Sequence, residues 1–510
     1  MHEGVTMSAH VWIQDERAGS SSLVRAEDYG DKSGVQGSGS RDANAASFHA
    51  QQDAIIVLGG GATAAEDAIH PSSVWRLYAL GAGGAALPER SGILRRWRRA
   101  GLLWEPPSDR AGERVGSVDG VAREMSREER MQAALALGWR IYRVSVFHLE
   151  AIAMQRSGTY ELSTQQPLVA SPIKELLAAD PMLRRVARTA VRAVYAAGLD
   201  IADVFIALSG EGRTAALAIS QPSRRDGVLA GQWQAAIRSF DAGYAAMRDH
   251  ARELLIGADP EFVLLRANGR IVSADRYLGR TGGAGADALL VRNRLMYPIG
   301  ELRPDPSPSP DGLAHSIRRQ LARADARVKD RSLRWAAGAM PVPGVALGGH
   351  VHLSGVPLTS RLLRQLDYYL ALPMAMVEPE RGRARRPRYG QLGDFRQQPH
   401  GGFEYRTLPS WLASPAAAKA SFALLLLCAH ETWRLPYRPV LDEEAEAAFY
   451  AGDRSSLARG LDQIAADLAA SSSFGTYERW IEPLLHAARR GAIWNEDADI
   501  RHQWRVGSPN

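Results

Sequence analysis

Four apolar stretches of this 510-residue chain each carry two ionisable side chains spaced two residues apart. They are Asp259 and Glu261 in Gly257-Ala258-Asp259-Pro260-Glu261-Phe262-Val263-Leu264-Leu265, Glu301 and Arg303 in Gly300-Glu301-Leu302-Arg303-Pro304, His350 and His352 in Gly348-Gly349-His350-Val351-His352-Leu353-Ser354, and Glu404 and Arg406 in Phe403-Glu404-Tyr405-Arg406-Thr407. Successive side chains of a strand point to opposite faces, so residues i and i+2 share one. A single pair of this kind is what a solvated strand face looks like. Four pairs, all drawn from Asp, Glu, His and Arg and all set among apolar or aromatic residues, are better explained by one inward-facing polar floor. The first stretch is expected to be a continuous strand that leads into a two-residue hairpin turn at Asn268-Gly269.

Carboxylates with one or two imidazoles can hold two divalent ions, and a carboxylate-rich set suits Mg²⁺ or Mn²⁺ better than a closed zinc site. Between the third and fourth stretches lies a run of guanidinium groups, Arg381, Arg383, Arg385, Arg386, Arg388 and Arg396, passing through Tyr389-Gly390-Gln391-Leu392-Gly393-Asp394-Phe395. Taken alone it reads equally as a surface loop. Directly before a Glu-x-Arg strand, it is suited to bidentate contacts with phosphate or carboxylate.

The length, at roughly 150 residues per domain, argues for two or three domains. Residues 1–50 are rich in Gly, Ser, Ala, Asp and Arg and are expected to be a disordered tail. Beyond them Ala54 to Leu58 reads as a strand entering Gly59-Gly60-Gly61, which lacks the spacing of a phosphate loop and is read as a turn. Residues 140–149 alternate as a half-buried strand, 183–197 have helical spacing, and 204–208 with 215–219 form a hairpin around Gly210-Glu211-Gly212. That hairpin resembles the end of an ATP-grasp domain, without the acidic metal ligand at Leu217-Ala218-Ile219-Ser220. A helix over 229–255 bridges to the second domain. There, helices begin at Pro310-Asp311, at Thr359 or Ser360, and at Ser414-Pro415. The expected division is a tail (1–50), an α/β domain of unknown role (51–240), a second domain (241–490) and a C-terminal tail (491–510).

Apolar residues make up 45% and charged residues 23%, a globular balance. The net charge of +6 comes with no basic helix interleaved with aromatics and no recognisable nucleic-acid motif, so nucleic acid is not expected as a partner. The one cysteine, Cys428, excludes an internal disulfide framework and, with no signal pattern or ~20-residue apolar span, points to the cytoplasm and away from a membrane. The oligomeric state is not readable.

The motifs also carry a resemblance. Gly257-Ala258-Asp259-Pro260-Glu261-Phe262 resembles the G-x-E-P-E-F strand of glutamine synthetases, Gly349-His350-Val351-His352-Leu353-Ser354 their G-x-H-x-H-x-S strand, and Glu404-x-Arg406 their E-x-R strand, in the same order. Closer still is the phage- and bacteria-encoded family of COOH–NH2 ligases of type 2, or amidoligases, to which GADPEF, ELRP, LGGHVHLSG and PHGGFEYRTLPSWL are similar. The likeness covers about a third of the chain. It implies an α+β fold, with a C-terminal glutamine-synthetase-like antiparallel sheet and flanking helices preceded by the separate α/β domain.

The resemblance further implies that Glu261 and Glu301 hold one metal, and that Asp259, His350 and Glu404 hold the ion nearer the terminal phosphate of ATP. Arg406, Arg388 and Arg396 would bind phosphates, while His352 and Arg303 would face the acyl acceptor or the substrate carboxylate. Asp259 stands where glutamine synthetases have glutamate, and Glu301 alone represents a segment with two further metal-binding glutamates. The expected activity is ATP-dependent amide or peptide bond formation between a small-molecule or peptide carboxylate and an amine. A catalytically silent nucleotide- or peptide-binding scaffold and a metal-dependent hydrolase built on His350-x-His352 are the alternatives.

Overall fold

The computed structural model describes residues 9–15, 22–28, 53–58, 75–80, 87–103, 125–157, 166–167, 173–222, 227–248, 253–291, 294–399, 401–438 and 440–506. The chain divides into two compact units, the second beginning at Ala246. The boundary expected at 241 therefore falls inside the helix Gly227–Arg248.

In the first unit, strands β1 (Val11–Asp15), β2 (Ser22–Arg25), β3 (Ala54–Leu58) and β4 (Trp75–Tyr78) make a four-stranded sheet in the order β2-β1-β3-β4. Strands β1, β3 and β4 run parallel. Val11, Trp12 and Ile13 are fully buried, and the Trp12 indole N–H donates to Asp53 at 2.9 Å. Residues 11–15 and 22–25 are thus part of a core and not of the tail expected over 1–50. The short Val-Trp-Ile run supplies enough apolar area to order a central strand within a Gly- and Ser-rich segment. The Gly59-Gly60-Gly61 turn lies outside the described residues.

A second sheet, antiparallel throughout, has the order β7-β6-β5-β8-β9, with β5 Arg140–Phe147, β6 Glu150–Ser157, β7 Gln166–Pro167, β8 Ile201–Leu208 and β9 Thr214–Ser220. The helix Pro181–Ala196 lies against it, started by Asp180, whose carboxylate accepts from the Met182 and Leu183 N–H groups, with proline in the first turn. It buries Leu183, Val186, Ala190 and Val194, the face that the apolar spacing indicates. The hairpin of β8 and β9 is where the sequence puts it. Its buried carboxylate, Asp203, is held by Arg143 Nε at 3.1 Å and Ser145 Oγ at 2.5 Å.

Strand β5 ends earlier than its alternation suggests, because His148 and Leu149 form a two-residue turn into β6 with φ of 42° and 68°. Left-handed backbone costs an L-residue about 1–2 kcal/mol, and the usual occupants of such a turn are Asn and Gly. The His148 ring is anchored edge-on between Trp75 and Phe240, centroids 5.1 and 4.9 Å away. Leu149 is only half-buried.

In the second unit the stretch expected as one strand is two. Strand β10 (Leu255–Ala258) belongs to a four-stranded antiparallel sheet, β10-β16-β18-β17, and β11 (Glu261–Leu265) to a second sheet, β12-β11-β14-β13, with β15 also paired to β11. The remaining strands are β12 Ile271–Val272, β13 Ala284–Val291, β14 Arg294–Leu302, β15 Arg334–Ala336, β16 Val351–Ser354, β17 Phe395–Gln397 and β18 Phe403–Tyr405. Pro260 has no N–H to give a ladder, so the chain passes from one sheet to the other at Asp259-Pro260. The turn after β11 uses three residues, not two: Gly269 N–H donates to Arg266 O at 2.9 Å, and Gly269, at φ 78°, sits where only glycine is unstrained.

The helices Pro310–Arg327, Ser360–Leu366 and Pro415–His430 are capped by Ser309, Thr359 and Ser414, as the sequence implies. Cys428 is buried in the last of these, which is apolar on nearly every side. Trp494, Glu496, Ile500 and Trp504 are buried too, and Glu496 accepts from the Ala339 N–H at 2.7 Å. Residues 491–506 therefore complete this unit, correcting the tail expected from 491. Among the described residues no helix is long and apolar enough to cross a membrane.

Replacing Leu149 with glycine relieves the turn and removes little packing. We expect Leu149→Gly to raise unfolding stability by about 1 kcal/mol, seen as a higher denaturant midpoint. An unchanged or lower midpoint would show that the turn is not strained.

Candidate active site

The switch at Asp259-Pro260 places two side chains of one segment in two different clusters. Glu261, at the start of β11, lies directly opposite Glu301 of β14. Asp287 of β13, two register positions from Glu301, completes the group, and ligand oxygens of Glu261, Asp287 and Glu301 lie within 4.8 Å of one another. Asp259 instead meets His352 of β16 and Glu404 of β18, again with ligand atoms within 4.8 Å. Strand pairing sets this up, because His352 is in register with both Gly257 and Glu404.

Glycines 348 and 349 explain how the histidine strand fits. A Cβ on Gly348 would stand 2.4 Å from the His350 ring, and one on Gly349 would stand 2.2 Å from the Pro409 carbonyl oxygen. With neither present, the His350 ring folds back on the chain and points Nδ1 at the acids, 3.1 Å from Asp259 Oδ1 and 3.1 Å from Glu404 Oε1. His352 Nε2 is 3.3 Å from Asp259 Oδ2. One imidazole N–H cannot satisfy two carboxylates, and Asp259 Oδ1, Glu404 Oε1 and His352 Nε2 are all buried without a well-directed hydrogen bond. Such atoms are costly unless a cation or proton serves them.

The charge states follow from these surroundings. Burial works against ionisation of Asp259, but His350 and His352 outweigh it and hold its carboxyl well below the usual range. Burial likewise disfavours charge on His350, yet the bonds from Asp259 and Glu404 push it up to about 10. In the other cluster, burial raises Glu261 to about 7, with Asp287 and Asp259 adding to it. Burial also raises Glu301 to about 8, helped by Asp259 and opposed by Arg303. Glu261 keeps one fixed donor, the Gly348 N–H at 2.7 Å from Oε2.

The arginines divide in two. Arg303 reaches Glu301 at 2.6 Å, while Arg396 and Arg406 reach the two oxygens of Glu404 at 2.5 and 3.1 Å. Arg388 is exposed, its guanidinium 5.4 Å from the Tyr389 ring centroid, and is drawn into neither cluster. Most of the basic run is structural: Arg381 pairs with Glu496 and Asp497, Arg383 with Glu380, Arg386 with Glu378, and Arg385 donates to the Thr407 and Leu408 carbonyls.

Asp287 is the ligand-type residue that sequence reasoning missed. The segment Ala284–Val291 reads as a weak strand, and only its register against β14 brings Asp287 to the acids. The shared N–H, the orphaned oxygens and the all-oxygen second cluster fit hard divalent cations such as Mg²⁺ or Mn²⁺.

Raised carboxyl values make protons, or cations in their place, part of the folded state. The contribution of Glu261 and Glu301 is fully present below their ordinary value near 4.5 and is lost as pH rises through about 7 and 8. With EDTA the melting temperature should therefore fall between pH 5 and pH 8, at ~2–4 °C per kcal/mol lost. Mn²⁺ should restore it, and by more at pH 8 than at pH 5. A metal-free melting temperature that is flat or rising over that range would contradict the assigned charge states.

Comparison with known proteins gives one family. Residues 256–506 match the family described as phage phiEco32-like COOH.NH2 ligase-type 2, a span that includes every candidate residue from Asp259 to Arg406. No curated protein matches the chain. Among solved structures, similarity is low. A bifunctional glutathione synthetase from Pasteurella multocida shares 10% identity over 49% of this chain and 49% of its own, at a TM-score of 0.33. This chain thus spans about half the length of that protein. Apo GmaS shares 13% identity over 70% of this chain and 95% of its own, at 0.29, and a GmaS/ADP complex 15% over 73% and 95%, at 0.27. With its motifs in order and its acids gathered in two clusters, the second unit of this chain belongs to the COOH.NH2 ligase type 2 family.

Proposed function

We propose that the second unit is an ATP-dependent amidoligase. A substrate carboxylate attacks the γ-phosphate of ATP, ADP leaves, and an amine then displaces phosphate from the acyl phosphate to give an amide or peptide bond. The observation that carries this reading is the pair of adjoining acidic clusters, each with an arginine just past the strand end, two residues downstream of a glutamate. Mg²⁺ or Mn²⁺, when bound, neutralises the triphosphate and the charge that develops during transfer.

The chain's own residues divide the work. Glu261, Asp287 and Glu301 would hold one ion. Asp259, Glu404 and an imidazole, His350 or His352, would hold the other. Arg396 and Arg406, at the Glu404 end, would bind phosphate oxygens, with Arg388 as a third. Arg303, beside Glu301, would orient the substrate carboxylate, and His352, part-exposed, would face the incoming amine. Asp287 supplies a carboxylate whose apparent absence favoured an inert scaffold. The substrates are small-molecule or peptide acids and amines.

Incubation of the full chain with ATP, Mg²⁺ and pools of amino acids or peptides should release phosphate only when both a carboxylate and an amine are present. Hydroxylamine in place of the amine should trap a hydroxamate. Glu301→Gln and Glu404→Gln should each lower turnover by about 10²–10³-fold. In EDTA, Glu301→Gln should leave the melting temperature unchanged or higher, whereas Glu404→Gln, which removes a carboxylate that His350 and Arg406 hold ionised despite its burial, should lower it. Phosphate release without a carboxylate, or metal-free cleavage of amide substrates, would sink the proposal.

A further inference from the structure

Both clusters repeat one arrangement: a ligand-type glutamate followed, two residues on, by an arginine that already touches it. Arg303 Nη2 is 2.6 Å from Glu301 Oε1, and Arg406 Nε is 3.1 Å from Glu404 Oε1. The two oxygens of Glu404 are not equivalent. Oε2 is fixed from β17 by Arg396 Nε at 2.6 Å and Gln398 Nε2 at 3.1 Å. Oε1 faces His350 and Arg406 and has no well-directed hydrogen bond, and Arg406 Nε, though ion-paired with it, has none either. Among the described residues Arg303 is anchored elsewhere by long hydrogen bonds, 3.4 Å to the carbonyls of Arg280 and Gly282. The Arg303 and Arg406 side chains are 37% and 34% exposed, so each has room to leave.

We infer that Arg303 and Arg406 are exchangeable counter-cations: each neutralises a cluster glutamate in the cation-free protein and is displaced by an entering divalent ion to become an anion receptor. This rests on the reading that the two clusters hold cations. A guanidinium and a metal ion repel each other at one carboxylate oxygen, so occupancy by one evicts the other. The evicted planar group then presents its paired N–H donors to phosphate or carboxylate. Glu404 stays in place during the exchange because Arg396 and Gln398 keep hold of Oε2. Cation and anion binding are consequently linked, each strengthening the other by the same factor.

The test uses the full chain, Mn²⁺ and inorganic tripolyphosphate, with binding followed by calorimetry. Arg303→Gln and Arg406→Gln should bind Mn²⁺ about fivefold tighter than the parent in the absence of anion, the scale of one partly exposed ion pair. They should also show a smaller gain in Mn²⁺ affinity when tripolyphosphate is added. Without metal, Glu404→Gln should bind tripolyphosphate at least about fivefold tighter than the parent because Arg406, and with it Arg396, is already released, and Glu404→Gln combined with Arg406→Gln should lose the share that Arg406 supplies. Asp259→Asn removes the same charge from the same cluster but leaves Arg406 paired, and should change that affinity by less than about twofold.

Equal effects of Glu404→Gln and Asp259→Asn would reduce the result to net charge and overturn the exchange. Unchanged or weaker Mn²⁺ binding in both arginine variants would also overturn it. Arg406→Lys, which keeps the charge and loses the planar group, should bind Mn²⁺ with intermediate affinity. It decides the matter if the glutamine variant does not fold. A parent protein that binds no Mn²⁺ would instead remove the cation reading itself, and the exchange with it.

Discussion

Two glutamates face each other across adjacent buried strands, and this unfavourable pairing organises the second unit. Glu261 and Glu301 are register partners, and like charges directly opposed in a sheet repel. Asp287 adds a third carboxyl. A stable sheet carries such a group most readily when protons or cations occupy it, and the acidities of Glu261 and Glu301 are displaced upward chiefly by burial, with the neighbouring carboxylates adding to it. Around this conflict the backbone is tightly fixed, with the Gly348 N–H on the Glu261 carboxylate and the Ser410 hydroxyl on its carbonyl. The acids cannot relax apart.

The same rigidity extends to the Asp259 side. A π-helical turn at Asp367–Ala371 follows the helix Ser360–Leu366, and Asp367 accepts from the Gly393 N–H at 2.9 Å and the Tyr405 hydroxyl at 2.6 Å. Strand β18 and the loop before β17 are tied together from behind, and the Arg406 N–H bonds the Asp394 carbonyl at 2.8 Å. Glu404 thus sits on a braced strand whose opposite face, Phe403 and Tyr405, is buried, with Arg406 directly after it, while the arginine side chains that meet the acids stay partly exposed. Fixed acids and movable guanidiniums suit a site that must hold cations in place and accept changing anionic ligands.

Local patterns exposed much of this in the sequence, and long-range pairing hid the rest. The i, i+2 spacing of Glu301 with Arg303, of His350 with His352 and of Glu404 with Arg406 marked side chains that do converge. The proline, serine and threonine signals likewise marked the starts of the three capped helices. Asp287 was invisible because its importance comes from a register across β14, not from its neighbours. The basic run was overvalued for a related reason: the acids that bind Arg381 lie 115 and 116 residues away. Val11 to Ile13 was passed over as tail because, beyond the short strand Ser22–Arg25, the partner that makes it central to a sheet begins only at Ala54. In each case the decisive contact joins distant segments, and composition has no means of showing it.

The passage of the chain from β10 to β11 also acts as a ruler. Asp259 and Glu261 serve different clusters but are separated by one proline, so the gap between the two ligand groups is set covalently, at roughly 7 Å for two extended residues. Neither sheet can drift relative to the other without dragging both acids along. Gaining or losing a single residue between 259 and 261 would therefore change the spacing of the two acidic groups, whereas a longer loop elsewhere in this unit would leave that covalent link intact.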